Sequence, residues 1–236
     1  MKDAPSLSVI IPIYNEKDGI ERAFVEIDSF LHQHLRDYEM LVVESGSTDG
    51  SYEICDRITK TYPRMRVIHE GARKGFGSAV RLGFKEAAKE LFLVLTIDLP
   101  YPLETINRGM NLIKKYDCVL SYRPQDKRDH FRRIQSIIYN ILIKTVLSLP
   151  FRNVNSAFKM FKRYCVEGST FISNGWLIDA EILSLISKKK LSYVEIPVTM
   201  VERSVGKSSV SLTASIGILK ELWSLVKSKK KCVGLD

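Results

Sequence analysis

The sequence lacks long apolar runs: no stretch reaches the roughly 18 to 20 consecutive apolar residues that a helix needs to cross a membrane. It also lacks the layout of a signal peptide, because the first residues, MKDAPSLSVIIP, lead into a strand-like run within a few positions. These two absences predict a cytoplasmic chain that has no membrane-spanning helix.

Cysteine and histidine are scarce and poorly spaced for metal binding. The four cysteines (Cys55, Cys118, Cys165 and Cys232) form no Cys-x-x-Cys pair, which argues against a zinc ribbon or a thioredoxin-like centre and favours a reducing compartment. The histidines include no pair at the i, i+4 spacing that places two ligands on one helix face. We therefore predict surface or packing roles for all of them, namely His32, His34, His69 and His130.

Acidic residues are outnumbered, since 36 Lys and Arg against 27 Asp and Glu give a formal net charge of +9. The basic residues are not interleaved with aromatic residues in one stripe, as a binder of single-stranded nucleic acid requires. They lie near the proposed loops at 123–133 and 203–207 and in a lysine-rich C-terminal end. This distribution favours a phosphate-rich ligand and an anionic membrane surface over nucleic acid.

Short apolar runs alternate with amphipathic stretches along the first half of the chain. The apolar runs indicate buried strands at 6–13, 40–44, 65–69, 91–97 and 118–122. The stretches between them have helical spacing and predict helices at 17–35, 51–61, 77–90 and 102–115. This alternation predicts an α/β fold with a mainly parallel, Rossmann-like sheet and helices on both faces.

The second half is less regular. Its patterns predict a helix at 131–149, a strand at 156–162, a helix at 176–187, a strand-like run at 191–201 and a closing helix at 211–227. Because no repeat or linker divides the chain, we predict a single domain over residues 1–236.

Polar and acidic residues follow four consecutive predicted strands, at the edge where parallel sheets bind ligands. The four exits are PIYNE from Pro12, ESGSTDG from Glu44, RKGFG from Arg73 and TIDLPYP from Thr96. Any one of them fits an ordinary turn or helix cap. Four in succession predict a binding site along this edge.

Common phosphate motifs do not fit the glycine-rich exit. The glycines at 75 and 77 do not complete a dinucleotide fingerprint because residue 80 is valine, and 71–78 lacks the Gly-Lys-Ser/Thr of a P-loop. What remains is a diphosphate site formed by Lys74 and backbone N–H groups at the start of the next helix.

Seven runs of residues occur in a fixed order between positions 8 and 211: SVIIPIYNE, VVESGSTDGS, RKGFGSAVRLGF, TIDLPYPLETI, SYRP, NVNSAFKMFKR and EIPVTMVERSVGKSSVS. Together they resemble the inverting family-2 glycosyltransferases of the GT-A fold, and within them the dolichol-phosphate mannose synthase branch. The resemblance implies a nucleotide-sugar-binding half at 5–125, an acceptor-side half at 126–212, and a C-terminal helix with a basic tail at 213–236.

The resemblance also implies roles for individual residues. It places Asp98 as the ligand of a Mg²⁺ or Mn²⁺ ion and Glu44 toward the donor base. The remaining residues implied in the donor site are Pro12, Tyr14, Glu16, Thr96 and Ser208, and those implied as catalytic or phosphate-binding cations are Arg123, Arg203 and Lys207.

The chain departs from the family pattern at three places, one of which is Pro100, where a polar residue is usual. The chain has Glu44-Ser45 where the family has paired aspartates, and Thr96-Ile97-Asp98 where the family has Asp-x-Asp. Glu44 keeps an acceptor carboxylate, whereas Thr96 removes one formal charge from the metal site.

The implied activity is transfer of a hexose, with mannose as the first expectation, from GDP-mannose or a UDP-hexose to a polyprenyl (dolichyl) phosphate. Such an acceptor is ionised near neutral pH, so it requires a cationic cradle, which Arg123 with Arg132 or Arg133 can supply. A sugar-hydroxyl acceptor would instead need a base, for which Asp179 and Glu181 are candidates if they do not simply lie on a solvated helix face. A binding subunit of weakened activity is a further alternative.

The predicted helix at 131–149 has two interpretations. Its apolar residues (Ile134, Ile137, Ile138, Ile141 and Leu142) suit a core helix, and they equally suit an in-plane membrane helix beside a lipid acceptor. The lysine-rich segment 227–231 would add attraction to anionic lipid. The second interpretation predicts a peripheral protein on the cytoplasmic face of a membrane, with a membrane-anchored partner subunit as an option.

Overall fold

A seven-stranded sheet organises the protein. A computed structural model describes residues 5–124, 130–201 and 221–222. The strands are β1 (Leu7–Ile13), β2 (Tyr38–Glu44), β3 (Met65–His69), β4 (Leu91–Val94), β5 (Cys118–Tyr122), β6 (Lys159–Lys162) and β7 (Tyr193–Pro197). The helices are α1 (Ile20–His34), α2 (Ser51–Thr59), α3 (Phe76–Glu86), α4 (Glu104–Leu112), α5 (His130–Leu147) and α6 (Ile178–Lys188), with a short 3-10 helix at Arg163–Cys165.

The strand order in the sheet is β3-β2-β1-β4-β6-β5-β7. Every neighbouring pair is parallel except the two made by β6, which is antiparallel to both β4 and β5. The predicted α/β architecture with a mainly parallel sheet is confirmed. Since parallel strands end at one edge, the loops after β1, β2, β3, β4 and β5 lie along the same side of the molecule.

Hydrophobic clusters cover both faces of the sheet, because side chains alternate along each strand. In β1, Val9 and Ile11 enter one cluster with α1, α2 and α4, whereas Ile10 enters the other with α3, α5 and α6. Strands buried on both faces explain the nearly continuous apolar runs of the sequence. Helices therefore lie on both faces, as predicted.

Helix α5 differs from the expectation of a core helix. Its apolar stripe is exposed, with exposed fractions of 60% for Ile138 and 61% for Ile141, and Ile134, Ile137, Leu142 and Val146 are also exposed. The buried side is narrow and includes Ile143 and Leu147. The core interpretation is thus wrong for the stripe that suggested it. Within the described residues, no helix has both the length and the apolar character required to span a bilayer.

Some strands are shorter than predicted. The strand expected at 91–97 ends at Val94, because a turn follows in which the Leu99 N–H donates to Thr96 O at 3.1 Å. The strand expected at 156–162 begins only at Lys159. The helix expected at 211–227 lies outside the described residues, apart from residues 221–222, which are helical.

Candidate active site

The loops after β1 and β2 are joined by hydrogen bonds at the carboxyl edge of the sheet. The Asn15 N–H donates to Ser47 Oγ (3.0 Å), and the Asn15 side-chain oxygen accepts from the Thr48 N–H (2.9 Å). The N–H groups of the next two residues, 16 and 17, donate to Ser51 Oγ (3.0 Å) and Asp49 Oδ2 (3.1 Å). The two loops therefore form one hydrogen-bonded wall.

Glu44 ends β2 beneath this wall, and its side chain is fully buried. Its Oε1 accepts the Ser47 N–H at 2.5 Å, and its Oε2 lies 3.2 Å from His69 Nδ1. Burial alone would raise the pKa of the Glu44 carboxyl, but the hydrogen bonds from Ser47 and His69 outweigh burial and lower it. Direct contact with a donor base stays a prediction, and it requires rearrangement because Glu44 has no exposed surface.

The predicted pocket residues of β1 lie at the same edge. Pro12 and Tyr14 are half-buried, and Glu16 is exposed. The guanidinium of Arg73, from the loop after β3, lies 4.2 Å from the centre of the Tyr14 ring. The structure thus brings the β1 and β3 exits together and adds a cation, Arg73, which the sequence analysis did not assign.

The start of α3 is not an open anion site. The N–H groups of Gly77 and Ser78 both donate to Asn174 O, at 2.8 and 3.3 Å. A Cβ on Gly77 would lie 2.6 Å from Ser173 O, so only glycine permits this close approach. The expected diphosphate contact with the backbone is therefore wrong for these two N–H groups. Lys74, just before the helix, is exposed at the same edge.

Asp98 lies in the turn after β4 and is half-buried. Its Oδ1 accepts a hydrogen bond from Thr96 Oγ1 at 2.5 Å. Nearby Tyr101 is buried, and its hydroxyl has no hydrogen-bond partner in the described part of the chain. Burial and the charge of Asp98 both raise the pKa of Tyr101, so this phenol stays neutral at physiological pH.

The residues around Asp98 fit a divalent ion only in combination with a ligand. Among the described residues, no group of three or more His, Cys, Asp and Glu side chains could hold a metal by itself. Magnesium-like ions, however, often take one or two carboxylates and complete their shell with phosphates and water. One carboxylate beside a hydroxyl at the ligand-binding edge suits that arrangement.

The structure describes only some of the cationic residues that were predicted to bind phosphate from the second half of the chain. Arg123 follows β5 and is half-buried, and Arg133 is exposed on α5. Arg132 belongs to α5, but its side chain is not among the described parts of the structure. The predictions for Arg203, Lys207 and Ser208 also fall outside the described residues.

Asp179 and Glu181 do not lie on a solvated helix face. Asp179 Oδ2 pairs with Lys159 Nζ at 2.9 Å, and both side chains are buried. Glu181 is also buried, and its Oε2 accepts the N–H groups of Ile172 (3.0 Å) and Ser173 (3.4 Å). Burial raises the pKa of both carboxyls. Both side chains are therefore engaged in holding the second half together.

His69 is the main site residue that the sequence analysis missed. It ends β3 and lies between two carboxylates, those of Glu44 and Asp56. Helical spacing could not reveal it, because its partners come from β2 and α2. The only usable signal was its position at a strand exit, next to the glycine-rich loop.

A family model described as Glycosyl transferase family 2 matches residues 8–170, well over half of the chain. A curated relative, the dolichol-phosphate mannosyltransferase of Pyrococcus furiosus, is 31% identical over 229 residues, which cover 94% of this chain and 64% of the relative. The dolichyl-phosphate beta-glucosyltransferase of Saccharomyces cerevisiae is 25% identical over 261 residues, covering 96% of this chain and 78% of the relative. The chain thus spans slightly less than two thirds of the Pyrococcus protein.

A solved structure gives the same fold. The mannosyltransferase of Pyrobaculum calidifontis, determined in complex with GDP-Man and Mn²⁺, matches with a TM-score of 0.64 at 21% identity, covering 87% of this chain and 59% of that one. At this level of identity the likeness concerns the fold alone. It confirms the predicted Rossmann-like GT-A architecture.

Proposed function

The chain belongs to glycosyl transferase family 2, and we propose that it transfers a hexose, mannose first, from a nucleotide sugar to a polyprenyl phosphate with inversion at the anomeric carbon. The observations that carry the proposal are the convergence of the β1, β2, β3 and β4 exits at one sheet edge and the exposed apolar stripe of α5. The names of the Pyrococcus and Saccharomyces relatives share a dolichyl phosphate acceptor and differ in the sugar.

In this proposal the first half binds the donor. The wall formed by the loops after β1 and β2, with Tyr14 under Arg73, accommodates the nucleoside. The exposed Lys74 contributes a positive charge to the diphosphate. Asp98, with the hydroxyl of Thr96, would hold Mg²⁺ or Mn²⁺ against the donor phosphates. Such an ion, when bound, neutralises charge that grows on the leaving nucleoside diphosphate.

Further cations for the phosphates are proposed from the segment after β7. The Val201 N–H donates to Pro100 O at 3.0 Å, so the chain that leads to Arg203 starts next to the loop of Asp98. Two and six positions later the sequence supplies Arg203 and Lys207, followed by Ser208. We assign these three residues to the donor phosphates on sequence position.

The acceptor side needs charge rather than a base. A lipid phosphate carries its own ionised oxygens near neutral pH. Arg123 at the end of β5 and the arginines at the start of α5, Arg132 and Arg133, are the proposed cradle. This assignment is consistent with the contacts of Asp179, which forms a buried ion pair with Lys159. Asp179 could act as a base only if that ion pair were broken.

Two alternatives each have one observation in their favour. A UDP-glucose-type donor is the alternative favoured by the Saccharomyces relative, which is named a glucosyltransferase. A binding subunit without activity is the alternative favoured by Thr96, which replaces the first aspartate of the usual pair. Both alternatives are compatible with the observed fold.

A donor panel tests the function. We expect the protein, with Mn²⁺ and dolichyl phosphate in detergent or liposomes, to form a labelled lipid product from GDP-mannose or from UDP-glucose. Product from only one donor settles the sugar. Nucleotide binding without product from any donor would support the binding-subunit alternative and contradict an enzyme.

The exposed stripe of α5 predicts membrane association. Replacing Ile138 or Ile141 by Glu should lower binding to anionic liposomes by roughly tenfold or more, because a charge replaces an apolar contact worth about 1.4 kcal/mol or more. Thermal stability should change little, since both side chains are more than half exposed. Co-sedimentation with phosphatidylglycerol liposomes measures the effect.

Val25→Glu is the matched control, because Val25 is also half-exposed but lies on α1, on the other side of the sheet. It should bind liposomes like the wild type. Equal sedimentation of all variants, or none for the wild type at any lipid composition, would refute a membrane role for α5.

A further inference from the structure

His69 lies between two carboxylates at the carboxyl edge of the sheet. Its Nδ1 is 3.2 Å from Glu44 Oε2, and its Nε2 is 2.9 Å from Asp56 Oδ1. The Tyr52 ring stacks on the imidazole with the ring centres 4.0 Å apart. An ionised carboxylate only accepts hydrogen bonds, and a neutral imidazole carries a single N–H. Both contacts can therefore be hydrogen bonds only when the His69 ring is doubly protonated.

A chain of hydrogen bonds connects the His69 ring to the wall formed by the loops after β1 and β2. Glu44 receives His69 on one oxygen and the Ser47 N–H on the other. Ser47 Oγ in turn accepts the N–H of Asn15, whose neighbours in sequence are Tyr14 and Glu16. Hydrogen bonds thus link Ser47 of the β2 exit, and through it Asn15 of the β1 exit, to one buried carboxylate.

We propose that His69 is a positioning residue for donor binding: its imidazolium holds the Glu44 carboxylate, and through it the 45–51 loop, in the conformation that the nucleotide contacts. This inference rests on the proposed function, since it needs a nucleotide at the loops after β1 and β2. His69 itself need not touch the donor. Its contribution lies in affinity for the nucleotide and in KM, whereas kcat at saturating donor should change little.

Several charged groups face His69 and set its protonation. Glu44 on β2 and Asp56 on α2 favour the cation directly. On the side of α3, His69 lines an open cleft of about 350 Å³ with Glu70 and the cations Lys74, Arg81 and Lys85. The three cations oppose protonation across solvent, where screening weakens their effect.

Taken together, these effects raise the pKa of His69. Burial alone would lower the pKa of His69, but hydrogen bonds with Asp56 and Glu44 outweigh burial and raise it above the ordinary value of 6.5. The doubly bonded form therefore predominates at and below the ordinary pKa of 6.5 and is lost as the pH rises through the raised pKa of His69. Donor affinity should decrease over that same upper range.

The test compares nucleotide binding by the wild type, Asp56→Asn and His69→Gln between about pH 6 and 8.5. The probes are UDP and GDP with Mn²⁺, titrated by calorimetry. In the wild type, affinity should fall several-fold as the pH rises. In Asp56→Asn the fall should occur about one pH unit lower, because one carboxylate that favours the cation is gone. In His69→Gln this step should be absent and affinity should be low throughout.

Asp56 is a suitable position because its side chain is 47% exposed, so Asp56→Asn should fold normally. The nucleotide phosphate and the metal also respond to pH, but identically in all three proteins, so only differences between the variants count. Superimposable pH profiles would overturn the role of His69 while leaving the proposed function intact. Failure of wild-type protein to bind either nucleotide at any pH would instead overturn the proposed function.

Discussion

Asp98→Ala should lower kcat/KM for hexose transfer by at least about 10³-fold, or about 4 kcal/mol of transition-state stabilisation. The reason is that Asp98 is the only carboxylate of the turn after β4, where the family usually has two aspartates. Thermal stability should decrease only slightly, because the hydrogen bond from Thr96 is lost at a half-exposed site where water can replace it. Initial rates with saturating Mn²⁺, together with thermal unfolding, measure both effects.

Asp98→Asn is the matched control for shape. The amide oxygen still accepts from Thr96 Oγ1, so stability should equal that of the wild type, yet the negative charge is gone and activity should be lost. Thr96→Asp should act in the opposite direction and lower the Mn²⁺ concentration needed for half-maximal rate. If Asp98 only caps the turn, Asp98→Ala will lose stability without a specific loss of rate, and full activity in a chelator would exclude a metal role.

Lys159→Met should destabilise the protein by roughly 3–5 kcal/mol, the usual cost of leaving one member of a buried ion pair without its partner. Lys159 Nζ lies 2.9 Å from Asp179 Oδ2, and the two side chains are 6% and 7% exposed. Lys159 also donates to the backbone oxygen of Ser156. Urea-induced unfolding of the wild type and the variant gives the difference in free energy.

Two further variants make this prediction specific. The double change Lys159→Met with Asp179→Leu should recover most of the loss, because no uncompensated charge remains in the interior. Arg57→Met breaks an ion pair with Glu21 in which both side chains are more than half exposed, and it should cost less than about 1 kcal/mol. A loss in Lys159→Met as small as that in Arg57→Met would show that the buried pair contributes little.

The order of strands and helices in the first half could be predicted because apolar runs and amphipathic stretches alternate regularly along the sequence. Apolar runs such as that of β2 are buried on both faces of the sheet, and a run of this kind has few alternatives in an α/β chain. The antiparallel insertion of β6 could not be predicted in the same way. Its four residues, Lys159–Lys162, carry no signal for direction, which depends on pairing with β4 and β5.

Periodicity identifies the residues that share a helix face, but it does not say what covers that face. The spacing of the apolar residues of α5 correctly predicts that they share one helix face, but that face is exposed at Ile138 and Ile141. Conversely, Asp179 and Glu181 were compatible with a solvated face and are buried. In both helices the outcome depends on neighbours that are distant in sequence, such as Lys159 for Asp179.

The candidate site was predictable as a set of strand exits and not as a set of contacts. The exits of β1, β2, β3 and β4 meet as expected for a parallel sheet. The hydrogen bonds that join Asn15 to Ser47 and Glu44 to His69 depend on side-chain directions, which the sequence does not encode locally. The contact of the Asn174 backbone oxygen with the start of α3 joins segments that are distant in sequence, so local patterns could not predict it either.

Acceptor dependence, measured in parallel with two donors, tests most directly whether the acceptor is a lipid phosphate. Labelled GDP-mannose and, in parallel, labelled UDP-glucose are incubated with the protein, Mn²⁺ and either dolichyl phosphate or dolichol, which has the same chain without the phosphate. We expect labelled lipid with dolichyl phosphate and none with dolichol, because the proposed acceptor nucleophile is an ionised phosphate oxygen. Equal transfer to dolichol, or transfer only to a soluble sugar hydroxyl, would overturn the proposed acceptor.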